Sequence, residues 1–73
     1  MNLTYFLPEK DVIEINLYDL SGRIIKEVLV DEKERGNYSM QLNLNELIGS
    51  TGIYFLEFKT TQATSIRKIT FQK

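Results

Sequence analysis

Because the sequence contains no histidine and no cysteine, the first side chains to consider for catalytic chemistry are its carboxylates. A Ser-His-Asp triad, an imidazole or thiolate metal site and a thiol nucleophile are therefore excluded. Carboxylate pairs remain, and two such groups could serve a glycosidase in principle. The candidate carboxylates are Glu9 and Asp11, and the run Asp31, Glu32 and Glu34.

Neither carboxylate group has the context of a catalytic or metal site. Glu9 and Asp11 border a predicted turn, and the second run is interleaved with Lys33 and Arg35, as is typical of a solvated loop. Calcium loops rarely carry their own neutralising cations. The glycine-rich stretch GSTG, residues 49–52, lacks the lysine and the following helix of a phosphate-binding loop. We therefore expect no catalytic residue, cofactor site or metal site.

Length and charge restrict the remaining functions. The chain has 73 residues, nine Lys plus Arg and ten Asp plus Glu, which predicts one small domain without the positive field that attracts nucleic acid. No segment approaches the roughly 18 apolar residues of a membrane span, and the first ten residues do not resemble a signal peptide. We expect neither nucleic-acid binding nor membrane insertion.

The elements that position these side chains are strands, because apolar and polar residues alternate with a period of two along most of the chain. Six such segments are separated by short turn signals, which predicts an all-β fold: a small antiparallel Ig-like β-sandwich of six to seven strands. A single helical turn is predicted in NELIG, with Asn45 as its cap and Gly49 at its end. The residues expected inside are Ile13, Ile15, Leu17, Ile25, Leu42, Tyr54, Leu56, Phe58, Ile69 and Phe71.

The clearest local signal is the stretch YDLSGRII. The Asp19 carboxylate can accept a hydrogen bond from the backbone two residues on, and Gly22 can supply the positive φ that closes a type I turn with a bulge. The strands on either side must then pair. Asp19 and Arg23 could also form a charged recognition pair, but turn chemistry explains the pattern without it.

Aromatic side chains are expected mainly in the core. This applies to Tyr18, Tyr54, Phe58 and Phe71. Phe6 and Phe55 are the aromatic candidates for a surface that meets a partner.

In order, these segments resemble the C-terminal sorting domain of proteins exported by the type IX secretion system, the type A signal of the Bacteroidetes. The resemblance covers essentially the whole chain. It depends on an ordered set of residues: Leu7, Pro8, Asp19, Gly22, Arg23, Gly36, Gly52, Tyr54 and the segment KITFQK, residues 68–73. One departure is visible, because the last hairpin of the family usually carries a glycine where this sequence has TTQAT; that turn is expected to be looser or longer.

The resemblance implies a non-catalytic signal. Residues 1–73 would be a single C-terminal domain of a larger secreted protein, monomeric, folded in the periplasm and recognised by the outer-membrane translocon. A sortase-like peptidase would then usually remove the domain, and the cargo would reach the cell surface or the medium. The alternatives are a structural or carbohydrate-associated Ig-like accessory module of a secreted enzyme, and a minimal Ig-like hook-capping module.

The end of the chain is the expected recognition element. The hypothesis places Lys68, Ile69 and Lys73 at the translocon, with the two lysines held at the edge of the sandwich by the inward packing of Ile69 and Phe71. The alternative is that the lysines only keep an edge strand soluble and prevent edge-to-edge pairing.

Overall fold

The computed structural model describes residues 1–72 and consists of six strands and one short helix. The elements are β1 Asn2–Leu7, β2 Asp11–Asp19, β3 Ile24–Lys33, β4 Gly36–Gln41, α1 Leu44–Leu47, β5 Gly52–Lys59 and β6 Thr64–Phe71. Within these residues the only helix has four residues, too short to cross a membrane.

The strands form two sheets, and every pairing is antiparallel. β1 pairs with β4 in a two-stranded sheet, and the other four strands form a second sheet in the order β3-β2-β5-β6. Side chains alternate between the two faces of a strand, so each sheet has one face that can be covered by the other. The prediction of a small all-β sandwich is confirmed, with six strands.

The core lies between the two sheets. Nine of the ten residues predicted to lie inside do so or pack against the core; Phe58 is half-buried. Tyr5 connects the layers: its ring stacks on Tyr38 within its own sheet, at a centroid distance of 5.3 Å, and lies 4.9 Å from the ring centroid of Phe58 in the other sheet. Two buried apolar residues, Leu7 and Ile48, were not predicted.

Ile25 was wrongly predicted to lie inside; its side chain is 40% exposed. The register between β2 and β3 shifts twice, between Ile15 and Asn16 and again between Leu17 and Tyr18. At the second shift Leu17 pairs with Lys26 and Tyr18 with Ile24, so Ile25 is the extra residue of a β-bulge. A bulge interrupts the strict alternation from which the burial of Ile25 was predicted.

The helical turn exists, but its cap was assigned two residues too late. The N-cap is Asn43, whose side chain accepts a 3.1 Å hydrogen bond from the Asn45 backbone N–H. Helix α1 ends at Leu47, and the backbone N–H of Ile48 donates to the Leu44 carbonyl. Gly49 does not have the positive φ that a glycine C-cap requires. Instead, the buried side chain of Ile48 packs in the core just after the turn.

Candidate recognition surface

Strand β6 lies at the edge of the four-stranded sheet and carries two of the three residues predicted to be recognised. Lys68 is exposed and pairs across the sheet with Phe55, whereas Ile69 is only 7% exposed and pairs with Tyr54. Phe71 is also buried. Ile69 and Phe71 therefore pack inward, as predicted, and because successive side chains of a strand alternate, Lys68 lies on the opposite face from Ile69. Lys73, the third residue, lies outside the described residues.

The turn before β6 is tight, which contradicts the expectation of a looser or longer hairpin at TTQAT. The Thr60 N–H donates to the Ala63 carbonyl at 2.8 Å, leaving a loop of only two residues. The Thr60 hydroxyl oxygen accepts hydrogen bonds from the N–H groups of Gln62 and Ala63, both at 3.2 Å. Side-chain acceptors thus satisfy backbone donors in a turn that has no glycine.

The same turn is held from outside by Asp11, the first residue of β2, and by Glu9 in the loop before it. The Asp11 carboxylate accepts from the Thr61 hydroxyl at 2.8 Å and from its N–H at 3.3 Å, and the Gln62 amide donates to Glu9. The hydrogen bond from the Thr61 hydroxyl is the main reason why the pKa of Asp11 lies below its ordinary value. Glu9 and Asp11, considered at first as catalytic carboxylates, therefore serve to hold the last hairpin.

The Asp19 turn has the predicted conformation. Gly22 has φ of +90° and donates to the Asp19 carbonyl at 3.1 Å, while the Asp19 N–H donates to the Arg23 carbonyl at 2.9 Å. One carboxylate oxygen of Asp19 accepts hydrogen bonds from the Ser21 N–H at 3.0 Å, the Ser21 hydroxyl at 2.6 Å and the Arg23 N–H at 3.0 Å. The carboxylate is therefore the centre of the turn.

These hydrogen bonds, first the one from the Ser21 hydroxyl, hold the pKa of Asp19 below its ordinary value. The Arg23 guanidinium adds an ion pair at 3.4 Å, but the Arg23 side chain is 85% exposed and contributes little to stability. The Asp19 carboxylate thus forms hydrogen bonds within the turn. The exposed Arg23 side chain is the member of the pair that a partner protein could contact.

The other residues of the family motif have structural positions. Leu7 is buried at the end of β1, and Pro8 follows it in the exposed loop to β2. Gly36 begins β4 with φ of +154°, a conformation that other residues rarely adopt. Gly52 begins β5, and the buried Tyr54 two residues later lies over it.

The outer face of the larger sheet has an open groove of about 420 Å³ that the sequence indicated only in part. Phe55, one of the two aromatics considered for a partner surface, is half-buried in its lining, and the other, Phe6, is 55% exposed on β1. Tyr18, which was expected in the core, is half-buried in the groove instead. Its hydroxyl donates to Glu57 at 3.2 Å, and partial burial, followed by that hydrogen bond, raises the pKa of Tyr18.

Asn16 is the buried polar residue that the alternation pattern had placed on the polar face. It is 4% exposed, and its side-chain amide donates to Glu57 at 3.4 Å. β2 lies between β3 and β5, and the cross-strand neighbours of Asn16, Glu27 and Glu57, flank its side chain on the outer face. Burial of a central-strand residue follows from sheet order, which the sequence pattern does not provide.

No group of three or more acidic, histidine or cysteine residues within residues 1–72 is arranged to hold a metal ion. The carboxylates at the end of β3 form exposed ion pairs instead: Lys10 lies 3.4 Å from Glu32 and 3.7 Å from Glu34, and Lys33 lies 3.6 Å from Asp31. The two contacts of Lys10 join the loop after β1 to the segment around the end of β3.

Comparison with known proteins gives one match. The family model described as "Secretion system C-terminal sorting domain" matches residues 1–72. No curated protein and no solved structure matches the chain. The match covers every element of the fold, from β1 to β6.

Proposed function

We propose, on the premise that this chain belongs to the family of secretion system C-terminal sorting domains, that the outer-membrane translocon recognises it through strand β6. The chain is a sorting signal for type IX secretion, and its function implies interaction with the secretion machinery and with a cargo protein. The observation that carries this conclusion is the family match across residues 1–72. Nothing favours the alternative of an Ig-like accessory module.

The proposal concerns how the signal is read. Lys68, and with it Lys73, would supply cationic groups to the translocon, while Ile69 is a positioning residue because its side chain is buried beside Tyr54. The exposure of Lys68 on an edge strand supports this assignment.

The domain would act as a non-catalytic monomer and fold in the periplasm. A sortase-like peptidase would remove it after transport, and the cargo would be delivered to the cell surface or the medium.

Export can be tested with a fusion. Residues 1–73 are attached to the C-terminus of an unrelated reporter that has its own signal for crossing the inner membrane, and the reporter is measured in the medium and on the surface of a bacterium with a type IX system. We expect export in this strain and periplasmic retention in a strain that lacks the translocon. Equal reporter distribution in the two strains would refute the sorting function.

Recognition by the lysines requires a second set of variants. The double variant Lys68→Ala and Lys73→Ala should leave the fusion in the periplasm. Because Lys68 is exposed, its replacement should cost little stability, so this loss of export should not result from unfolding. Lys26→Ala with Lys59→Ala is the matched control: both are exposed lysines, and the change in net charge is the same. Export of the first variant at the parental rate would show that these lysines are not the recognition element.

A further inference from the structure

Strand β6 has a free edge along its whole length. Within residues 1–72 it pairs only with β5, over the eight residues Thr64–Phe71, without a register shift and without proline or glycine. Strand β3, at the opposite edge of the same sheet, has two register shifts. Bulges, prolines and charged side chains are the usual devices that prevent strand addition at an edge. β6 has neither a bulge nor a proline, so its edge has the geometry to accept another strand, and its cations restrict which strand that can be.

The backbone groups at this edge can be identified from the ladder. The Thr60 N–H donates to the Ala63 carbonyl, and the register then continues unbroken from Lys59 opposite Thr64 to Gly52 opposite Phe71. In an antiparallel ladder, hydrogen-bonded and non-hydrogen-bonded pairs alternate. The N–H and C=O groups directed away from β5 are therefore those of Thr64, Ile66, Lys68 and Thr70, all four of which have exposed side chains.

The charge of β6 defines the kind of strand that fits. The strand contains Arg67 and Lys68 and no acidic residue, and neither cation forms an ion pair with any of residues 1–72. Because the two are adjacent, one lies on each face of the strand. In antiparallel pairing with a second copy, outward-facing residues lie opposite outward-facing residues, so the two most central registers place Arg67 opposite Arg67 or Lys68 opposite Lys68. Like charges directly opposite are unfavourable. The edge is thus complementary to an acidic strand and not to itself.

We propose that the free edge of β6 is a docking site for an extended segment of a partner protein, which adds to the sheet as a fifth strand and places carboxylates opposite Arg67 and Lys68. Backbone hydrogen bonds would supply the affinity and the two cations the selectivity. The assignment of this partner to the secretion machinery rests on the function proposed above. The ability of the edge to bind an acidic strand does not depend on that function.

Amide hydrogen exchange of the labelled chain tests this directly. The probes are two synthetic eight-residue peptides of alternating threonine and valine, one with two adjacent glutamates at its centre and one with two adjacent lysines. At about ten times its dissociation constant, the glutamate peptide should slow exchange at Ile66 and Lys68 about tenfold. The lysine peptide should leave both amides unchanged. Equal effects of the two peptides, or protection on another strand only, would overturn the proposal.

Variants separate the backbone from the side chains. Ile66→Pro removes an outward-facing donor and should abolish binding of the glutamate peptide, whereas Ile66→Thr should retain it. Thr4→Pro is the matched control, because the mutual hydrogen bonds of Met1 and Leu42 place the Thr4 N–H at the outer edge of β1. Loss of binding in Thr4→Pro as well would show that the effect is not specific to β6.

Charge reversal gives an independent readout that does not depend on proline being tolerated. The double variant Arg67→Glu and Lys68→Glu, both at exposed positions, should bind the lysine peptide and no longer the glutamate peptide. Unchanged preference would overturn the proposed selectivity.

The fusion assay distinguishes the two proposals. If the alanine variants of Lys68 and Lys73 block export while Ile66→Pro is exported normally, translocon recognition stands and strand addition fails. If the parental fusion is not exported by the type IX system, the sorting function fails whatever the peptides do.

Discussion

The Tyr54 hydroxyl donates a 2.7 Å hydrogen bond to the carbonyl oxygen of Ser50, four residues earlier in the chain. The same arrangement occurs once more, where the Tyr38 hydroxyl donates to the Glu34 carbonyl at 2.6 Å. Each tyrosine stands two residues after the glycine that begins its strand. A tyrosine that bonds back to the preceding loop fixes the entry into a strand, as the tyrosine corner does in β-sandwiches.

Removing the two hydroxyls should have unequal effects. Tyr54→Phe should lower the free energy of unfolding by about 1–2 kcal/mol, because Tyr54 is 7% exposed and its partner carbonyl loses a part-buried bond. Tyr38→Phe should cost less, since its hydrogen bond is exposed and water can replace it. Urea denaturation of both variants measures the difference. A larger loss for Tyr38→Phe would contradict this explanation.

Glycine conformation should be detectable by substitution at two positions. Gly22→Ala should destabilise the fold by about 1 kcal/mol or more, because a β-carbon is unfavourable at positive φ. There is open space around Gly22, so the cost is conformational and not steric. Gly49→Ala is the matched control, with equally open space but no positive φ, and should be close to neutral. Equal melting temperatures for the two variants would rule out the turn geometry as the cause.

The charge of Asp19 should stabilise the protein only above a limiting pH. Because the folded-state pKa of Asp19 is depressed by its hydrogen bonds, its contribution is present above the unfolded pKa of about 3.9 and is lost as pH falls through the lower folded value. Asp19→Asn should therefore be less stable than the parent at pH 7, and the difference should shrink as pH falls through the depressed folded-state pKa of Asp19. The comparison requires denaturation curves of both proteins over this range. A stability difference independent of pH would show that the charge has no role.

Burial predicts a clear contrast between two isoleucines. Ile15→Ala should cost about 2–5 kcal/mol, because Ile15 is completely buried between the sheets. Ile25→Ala should cost well under that, about 1 kcal/mol or less, because Ile25 lies at the bulge and is 40% exposed. Chemical denaturation midpoints provide the measurement. Similar losses in the two variants would place Ile25 in the core after all.

The features that could be predicted from the sequence are those that depend on residues close together in the chain. The Asp19 turn and the inward packing of Ile69 each depend on residues close together in the chain, and both were predicted correctly. Ile25 and Asn16 were not, because their environments depend on a bulge and on which strands flank β2. Alternation gives the two faces of a strand, but strand order decides how deeply each face is covered.

The last hairpin shows a second limit of sequence reasoning. The missing glycine in TTQAT was taken as a sign of a loose or longer turn, whereas the Asp11 carboxylate, fifty residues earlier, accepts two hydrogen bonds from Thr61 that support a tight one. Contacts between distant segments leave no local pattern. The sequence placed Glu9 and Asp11 beside a turn, but their role could not be inferred before this turn and the last hairpin were seen together.

The pairing of β1 with β4 has a consequence for the order of folding. Joining Asn2 to Gln41 closes a loop about ten times longer than the turn between Asp19 and Arg23, which costs roughly 2 kcal/mol more in chain entropy. The β2–β3 and β5–β6 hairpins are local and should form first. We therefore expect a transient stage in which β6 is already paired with β5, while the apolar face of the larger sheet is still exposed to water and to chaperones until β1 closes over it.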